Sequence, residues 1–210
     1  MRIIAGKYRS RILKSLKGEA LRPTSDRLRE TLFDVLGADV GGSRFLDVFA
    51  GTGAVGIEAL SRGAAEAVFL ERHGPAAKLI RSNLDSLGIT QGATIFTADA
   101  LSALEKLAAR AGALRAPLRA AGGADEGARS PQAGTGFDFV FLDPPYAAHE
   151  EYARALEFLG SAPADFLAPG AQVIFEHHHK FALPESSGRL TRKRVLKQGD
   201  AALSFFRLMA

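Results

Sequence analysis

From residue 45 to residue 175 the sequence alternates short apolar runs with segments of helical length, and no other feature narrows the fold as far. The apolar runs fall at 45–49, 67–70, 94–96, 137–142 and 172–175, and the helical segments at 54–62, 75–87, 100–110 and 148–159. A helix between two strands carries the chain back to the starting edge of the sheet. This order therefore predicts parallel strands with helices on both faces. Residues 189–196 and 202–208 break the order. They are strand-like runs joined only by Lys197-Gln198-Gly199-Asp200, too short for a helix, and are expected to pair antiparallel. The expectation is an α/β chain with a mostly parallel seven-stranded sheet that closes in an antiparallel hairpin.

Upstream, Ile4, Tyr8, Ile12 and Leu16 sit among Lys7, Arg9, Arg11 and Lys14, which reads as a short basic β-hairpin or extended arm. Arg22-Pro23 stops it. Ser25 or Thr24 then caps a helix to about Leu36, with Leu28, Leu32, Val35 and Leu36 on one face and Gly37 as its stop. Charge follows the same division: residues 1–30 carry a net +6, 31–175 a net −6 and 176–210 a net +4. An acidic body with basic ends suits a polyanionic partner such as nucleic acid, or leaves the charge in solvent. There is no cysteine, which excludes disulfides, thiolate metal sites and a cysteine nucleophile. No apolar run approaches the roughly 18–20 residues of a membrane span, and the first residues lack the apolar stretch of a signal peptide. A soluble, cytoplasmic protein is expected. Residues 109–136, mostly Ala, Gly and Arg, are expected to extend the preceding helix and then form a mobile loop.

Two motifs carry chemistry. Gly51-Thr52-Gly53-Ala54-Val55-Gly56 matches G-x-G-x-x-G between a strand and a helix, where glycines let the backbone approach a nucleoside ligand. Glu71 closes the second strand, where a carboxylate can accept from both ribose hydroxyls. Asp47, four residues before Gly51, can hold an ammonium group through the loop. A dinucleotide offers a pyrophosphate to the helix N-terminus and no ammonium, whereas S-adenosylmethionine offers the ammonium and no phosphate. The glycines alone do not choose between them, and a turn used only for packing would look the same.

Asp143-Pro144-Pro145-Tyr146 follows the fourth strand. Its prolines remove two N–H donors and stiffen the turn. The Asp143 carboxylate and the Pro144 carbonyl then offer two acceptors beside the Tyr146 ring. An exocyclic amine on a nucleobase needs acceptors for its two N–H groups and a face to stack on. Its lone pair is conjugated with the ring, and those hydrogen bonds favour localising the pair toward an electrophilic methyl group held in line. A rigid surface turn is the other reading of the tetrapeptide. If the first and fourth strands are neighbours, both motifs face one crevice at the C-terminal strand ends.

Together with Met1-Arg2-Ile3-Ile4-Ala5-Gly6, the block from Leu21 to Phe33, the block from Leu46 to Gly53, and Glu58-Ala59-Leu60-Ser61-Arg62, these motifs span nearly the whole chain. The sequence resembles the bacterial 16S rRNA guanine-N2 methyltransferase family of the RsmD type. The resemblance implies a Rossmann-like class I methyltransferase domain at 41–210 and a basic N-terminal extension at 1–40. It implies methyl transfer from S-adenosyl-L-methionine to N2 of a guanine in 16S rRNA, within an assembling small ribosomal subunit. The cofactor is expected at Asp47, Phe49, Gly51, Gly53, Glu71 and Asp99, and the catalytic groups at Asp143, Pro144 and Tyr146. RNA contacts are expected at Lys7, Arg9, Arg11, Arg22, Arg27 and Arg29. Asp99 reads equally well as a helix N-cap, and the arginines as helical surface. The 109–136 insertion departs from the family pattern.

The chain is expected to act as a monomer, with no membrane and no metal. His177-His178-His179 invites a metal, but neighbours on a strand point to opposite faces. Arg192-Lys193-Arg194 either touches RNA or guards an edge strand. Rival functions are methylation of DNA at adenine N6 or cytosine N4, NAD-dependent hydride transfer, and RNA binding without catalysis.

Overall fold

The computed structural model describes residues 1–15, 25–111 and 136–209. Ser25 opens α1 (Asp26–Leu36): its side chain accepts the Leu28 N–H, and Gly37 at φ 59° ends the helix. Arg22, Pro23 and Thr24 lie outside the described residues. So do residues 112–135 of the expected insertion, whose first residues extend the fourth helix to Ala111.

The alternation continues as β1 (Arg44–Val48), α2 (Ala54–Ser61), β2 (Glu66–Leu70), α3 (Gly74–Ser86), β3 (Ala93–Phe96), α4 (Ala100–Ala111), β4 (Phe137–Leu142), α5 (His149–Ser161) and β5 (Leu167–His178). After it come β6 (Ser186–Ser187), β7 (Leu190–Gln198) and β8 (Ala201–Leu208). All join one sheet in the order β3-β2-β1-β4-β5-β8-β7-β6. The first five are parallel, β8 runs antiparallel to β5, and β7 antiparallel to β8. The sheet thus has eight described strands rather than seven. The extra one, β6, is two residues paired to the start of β7, too short to carry a periodicity. β5 also starts earlier than the apolar run at 172–175. Its first part contains Pro169 and Gly170, the latter at φ 75°, and its register against β4 shifts between Phe137 and Phe139.

Side chains alternate across the sheet and define its two layers. Leu46 and Val48 pack with Leu104 and Leu107 of α4 and Leu156 and Leu159 of α5. Phe45, Phe139, Phe141 and Ile174 point the other way, onto Leu28, Leu32 and Phe33 of α1 and Val55 of α2. Because β1 lies between β2 and β4, the strand order reverses there. That reversal opens a crevice above the C-terminal ends of β1 and β4.

The N-terminal segment is in a different phase from the one its alternation suggested. Ile3 and Leu13 are its buried residues, at 1% and 2% exposure, while Ile12 is 80% exposed. Among the described residues of this segment only Arg2 and Ile12 form a ladder bridge, flanked by bonds from Ile3 N–H to the Arg11 carbonyl and from Leu13 N–H to the Met1 carbonyl. The physical reason is a tertiary anchor on α2. The Glu58 carboxylate accepts the N–H groups of Ile4 (2.8 Å) and Ala5 (3.0 Å), and Ser61 bonds both Ala5 and Tyr8. A Cβ on Gly6 would lie 1.8 Å from the Ser61 carbonyl oxygen, so only glycine permits this approach. Glu58 also meets Arg62 at 2.8 Å and the fully buried Arg29 at 3.7 Å, and Arg29 in turn bonds Asp26 and the Arg2 carbonyl. Among the described residues, no helix is long and apolar enough to cross a membrane.

Candidate functional site

A cavity of about 680 Å³ lies in the crevice at the strand reversal. β1 and β2 supply one side of it: Asp47, Phe49, Gly51 and Glu71 all line it. β4 supplies the other through Asp143, Pro144 and Tyr146. The two motifs meet because Val48 of β1 pairs with Leu142 of β4, so both turns leave the sheet at the same level, and the Asp143 N–H reaches the Val48 carbonyl at 3.4 Å.

The glycine loop divides its work. Gly51 lines the cavity at φ 54°, following Phe49, which holds a positive φ of 65° that is unusual for a bulky residue. Gly53 does not line the cavity. A Cβ there would come within 3.0 Å of Ile80, and one on Gly56 would sit 2.3 Å from the Phe69 ring. Gly53 and Gly56 therefore let α2 pack closely on β2 and α3, and of the three glycines Gly51 is the one that lines the cavity.

The carboxylates beside this loop are fixed by backbone donors. Glu71 accepts Gly51 N–H on one oxygen and His73 N–H on the other, both at 2.7 Å. A carboxylate has about four acceptor positions, so Glu71, which lines the cavity, keeps acceptor capacity beyond these two bonds. Asp47 is 2% exposed and accepts the Gly56 N–H at 2.8 Å. Burial pushes its carboxyl up to about 8; the Gly56 bond opposes this and the Glu71 charge reinforces it.

On the far side, the Pro144 carbonyl accepts from the hydroxyl of Tyr152 at 3.0 Å. That hydroxyl also lies 3.1 Å from the Glu176 carbonyl. Tyr152 is fully buried on α5, and burial, with the Asp143 charge next, pushes its phenol far above the ordinary value, so it stays a donor. The Tyr146 ring meets His178 edge-on at 5.7 Å.

Other expected site residues fall elsewhere. Asp99 is exposed and does not line the cavity. Its carboxylate accepts the Ser102 N–H at 3.2 Å as the cap of α4, while its neighbours Ala98 and Ala100 form the cavity wall. Arg29 is no phosphate ligand, because it has no exposed surface and its charge is taken up by Asp26 and Glu58. Lys7, Arg9, Arg11 and Arg27 are exposed, and Arg22 lies outside the described residues.

The three histidines do not share one environment. β5 continues through His178, and His177 is buried, with its Nε2 2.8 Å from the Ser204 hydroxyl and its Nδ1 3.0 Å from the His178 carbonyl. His179 lies just beyond the strand, so its ring stacks on His178 instead of facing away. Ligand atoms of His178, His179 and Asp200 come within 4.8 Å of one another. The Lys180 N–H donates to His178 Nδ1 at 3.1 Å, so that nitrogen already has a partner.

Two buried groups of the site were missed by sequence reasoning: Glu176, which lines the cavity at 4% exposure, and Tyr152. Neither belongs to a motif. The pairing of β5 beside β4 brings Glu176 in, and the packing of α5 on the sheet brings in Tyr152.

The comparisons agree along the chain. It is 33% identical over 207 residues to YlbH of Bacillus subtilis, covering 99% of this chain and 98% of the relative. It is 31% identical over 208 residues to Ribosomal RNA small subunit methyltransferase D of Escherichia coli K12, covering 98% and 89%. The solved structure of Escherichia coli yhhF matches with a TM-score of 0.76 at 30% identity, covering 100% and 98%. The architecture is that of class I methyltransferases. Residues 1–116 and 119–207 match the model of the family described as Conserved hypothetical protein 95, and the chain belongs to that family.

Proposed function

We propose that this protein transfers a methyl group from S-adenosyl-L-methionine to the exocyclic N2 amine of a guanine in 16S rRNA. The observation that carries this reading is the single cavity shared by the glycine loop and the Asp143-Pro144-Pro145-Tyr146 turn. Methyl transfer needs donor and amine within one enclosed space. The volume is that of an ordinary small-molecule site. The relative named as a small-subunit rRNA methyltransferase supports the substrate class.

The residues present fit the cofactor. Glu71 would hold the ribose hydroxyls, Gly51 and Phe49 would line the path of the amino-acid end, and Ala98 and Ala100 give an apolar wall for a base. The raised Asp47 carboxyl suits a cationic ligand, because an ammonium nearby returns it to the charged form. When bound, S-adenosylmethionine supplies a methyl group on a sulfonium centre. Asp143 and the Pro144 carbonyl accept the two N–H groups of the target amine and orient its lone pair. Tyr146 stacks on the base. The exposed Lys7, Arg9, Arg11 and Arg27 add phosphate contacts.

The test is mass spectrometry of small-subunit rRNA nucleosides from cells with and without the gene, followed by methyl transfer with purified protein. Loss of N2-methylguanosine, restored in vitro, is expected. An unchanged level in the deletion strain overturns the reading.

A further inference from the structure

We propose that Glu176 reads the ring N–H beside the target amine and so selects guanine over adenine and cytosine, an inference that rests on the methyl-transfer reading above. Glu176 stands near the C-terminal end of β5, lines the cavity with Asp143 and Tyr146, and is only 4% exposed. The β4–β5 register places it. Phe141 pairs with Ile174 and Leu142 with Phe175, so the residues that follow are Asp143, just past the end of β4, and Glu176 on β5. Neighbouring strands lie about 5 Å apart. Alternation along β5 puts Glu176 on the face of Ile174, which shares a core layer with Phe141, and Asp143 lines the same cavity. The main chains of both acceptor residues are also tied to one atom, since the buried Tyr152 hydroxyl is 3.0 Å from the Pro144 carbonyl and 3.1 Å from that of Glu176.

The chemistry of the bases explains what a second carboxylate does there. Adenine, cytosine and guanine all present an exocyclic amine, so the Asp143-Pro144 acceptors do not distinguish them. The ring position beside the amine does. Guanine carries a hydrogen on N1, whereas adenine N1 and cytosine N3 carry lone pairs. A carboxylate accepts a hydrogen bond from guanine N1–H and repels the other two. With Asp143 and Pro144 on the N2 hydrogens and Glu176 on N1–H, three acceptors meet three donors. A buried group committed to one hydrogen-bonding pattern discriminates on the order of 10⁴-fold against a ligand that lacks it.

The test uses small-subunit particles reconstituted on rRNA that carries either guanine or 2-aminopurine at the methylated position. 2-Aminopurine keeps the N2 amine but has a lone pair at N1. The full-length protein should methylate guanine at least about 100-fold faster than 2-aminopurine in kcat/KM. In Glu176→Gln the amide can donate to that lone pair, so the ratio should fall to within about tenfold, with S-adenosylhomocysteine affinity within about twofold of wild type. Glu176→Asp keeps the charge and should keep the preference at a reduced rate, which covers the case of a Gln variant that does not fold. A wild-type ratio near one overturns the proposal, as does an unchanged ratio in Glu176→Gln. A loss of S-adenosylhomocysteine affinity matching the loss of rate also overturns it, by placing Glu176 on the cofactor. A wild-type protein that methylates no guanine in the unmodified particle overturns the methyl-transfer reading itself, and the proposal with it.

Discussion

Replacing Glu58 with Ala should be among the most damaging single changes outside the cavity. Glu58 has no exposed surface, accepts the N–H groups of Ile4 and Ala5, and balances Arg62 and the buried Arg29. Ala leaves two backbone donors without their acceptor and leaves Arg29 with Asp26 as its remaining carboxylate. Breaking a buried ion pair by removing one partner costs about 3–5 kcal/mol. The orphaned donors are part of that cost and are not added again. A domain of this size loses about 2–4 °C in Tm per kcal/mol, so the expected drop is roughly 6–20 °C. Glu58→Gln keeps an oxygen for one backbone donor but loses the charge, and should fall between. Arg62→Ala, which removes the partly exposed partner, should cost least. Thermal unfolding of the three variants gives the ranking, and trypsin cleavage at Lys7, Arg9 and Arg11 should quicken in the same order. A Glu58→Ala protein that melts within 3 °C of wild type (about 1 kcal/mol) and resists trypsin equally would refute the anchor argument.

Three further outcomes test the site. Asp143→Asn keeps one acceptor oxygen and should retain measurable methyl transfer, whereas Asp143→Ala should lose about 2–4 kcal/mol of transition-state stabilisation, roughly 30- to 1000-fold in single-turnover rate. Equal loss in both variants at unchanged cofactor affinity would instead favour a general base. Burial raises the Asp47 carboxyl from 3.8 to about 8, so the folded protein holds a proton that the unfolded chain releases, and stability without cofactor should fall as pH rises from about 4 to 8. Asp47→Asn should remove that contribution, so that its urea midpoint changes less between pH 5 and pH 8 than that of the wild type; an equal change in the two proteins counts against it. Lys7, Arg9 and Arg11 replaced together by Ala should flatten the salt dependence of RNA affinity, and an unchanged slope would leave the N-terminal segment without a role in RNA binding.

What the sequence made legible was local or periodic. The five-fold alternation specifies the parallel sheet, the joined runs after residue 189 specify the hairpin, and Ser25 and Gly37 bound α1 by capping chemistry that acts over three residues. What was hidden depends on partners distant in the chain. Arg29 lies on the apolar stripe of α1 and reads as surface only until Glu58 and Asp26 are placed beside it. The N-terminal phase was misread because Glu58, fifty-four residues after Ile4, decides which residues face inward. Asp99 shows the converse, since a strand-end carboxylate has two local uses and the helix cap took it.

The site follows the same rule at one more level. Glu71 and Asp143 could be named in advance because each follows a strand whose end is visible as the end of an apolar run, and Asp47 because it stands four residues before the glycine loop. Whether they converge depends on strand order, which no run of residues encodes. β1 pairing with both β2 and β4 turns three separate strand ends into one cavity rim. The next pairing, β4 with β5, extends the rim to Glu176, the residue just after an apolar run and part of no motif, which the register sets beside Asp143. The acceptors shared by all amino-methyl transfer thus lie in a contiguous motif. The group that would choose among amines lies one strand away, where base specificity can change without disturbing the turn that holds the amine.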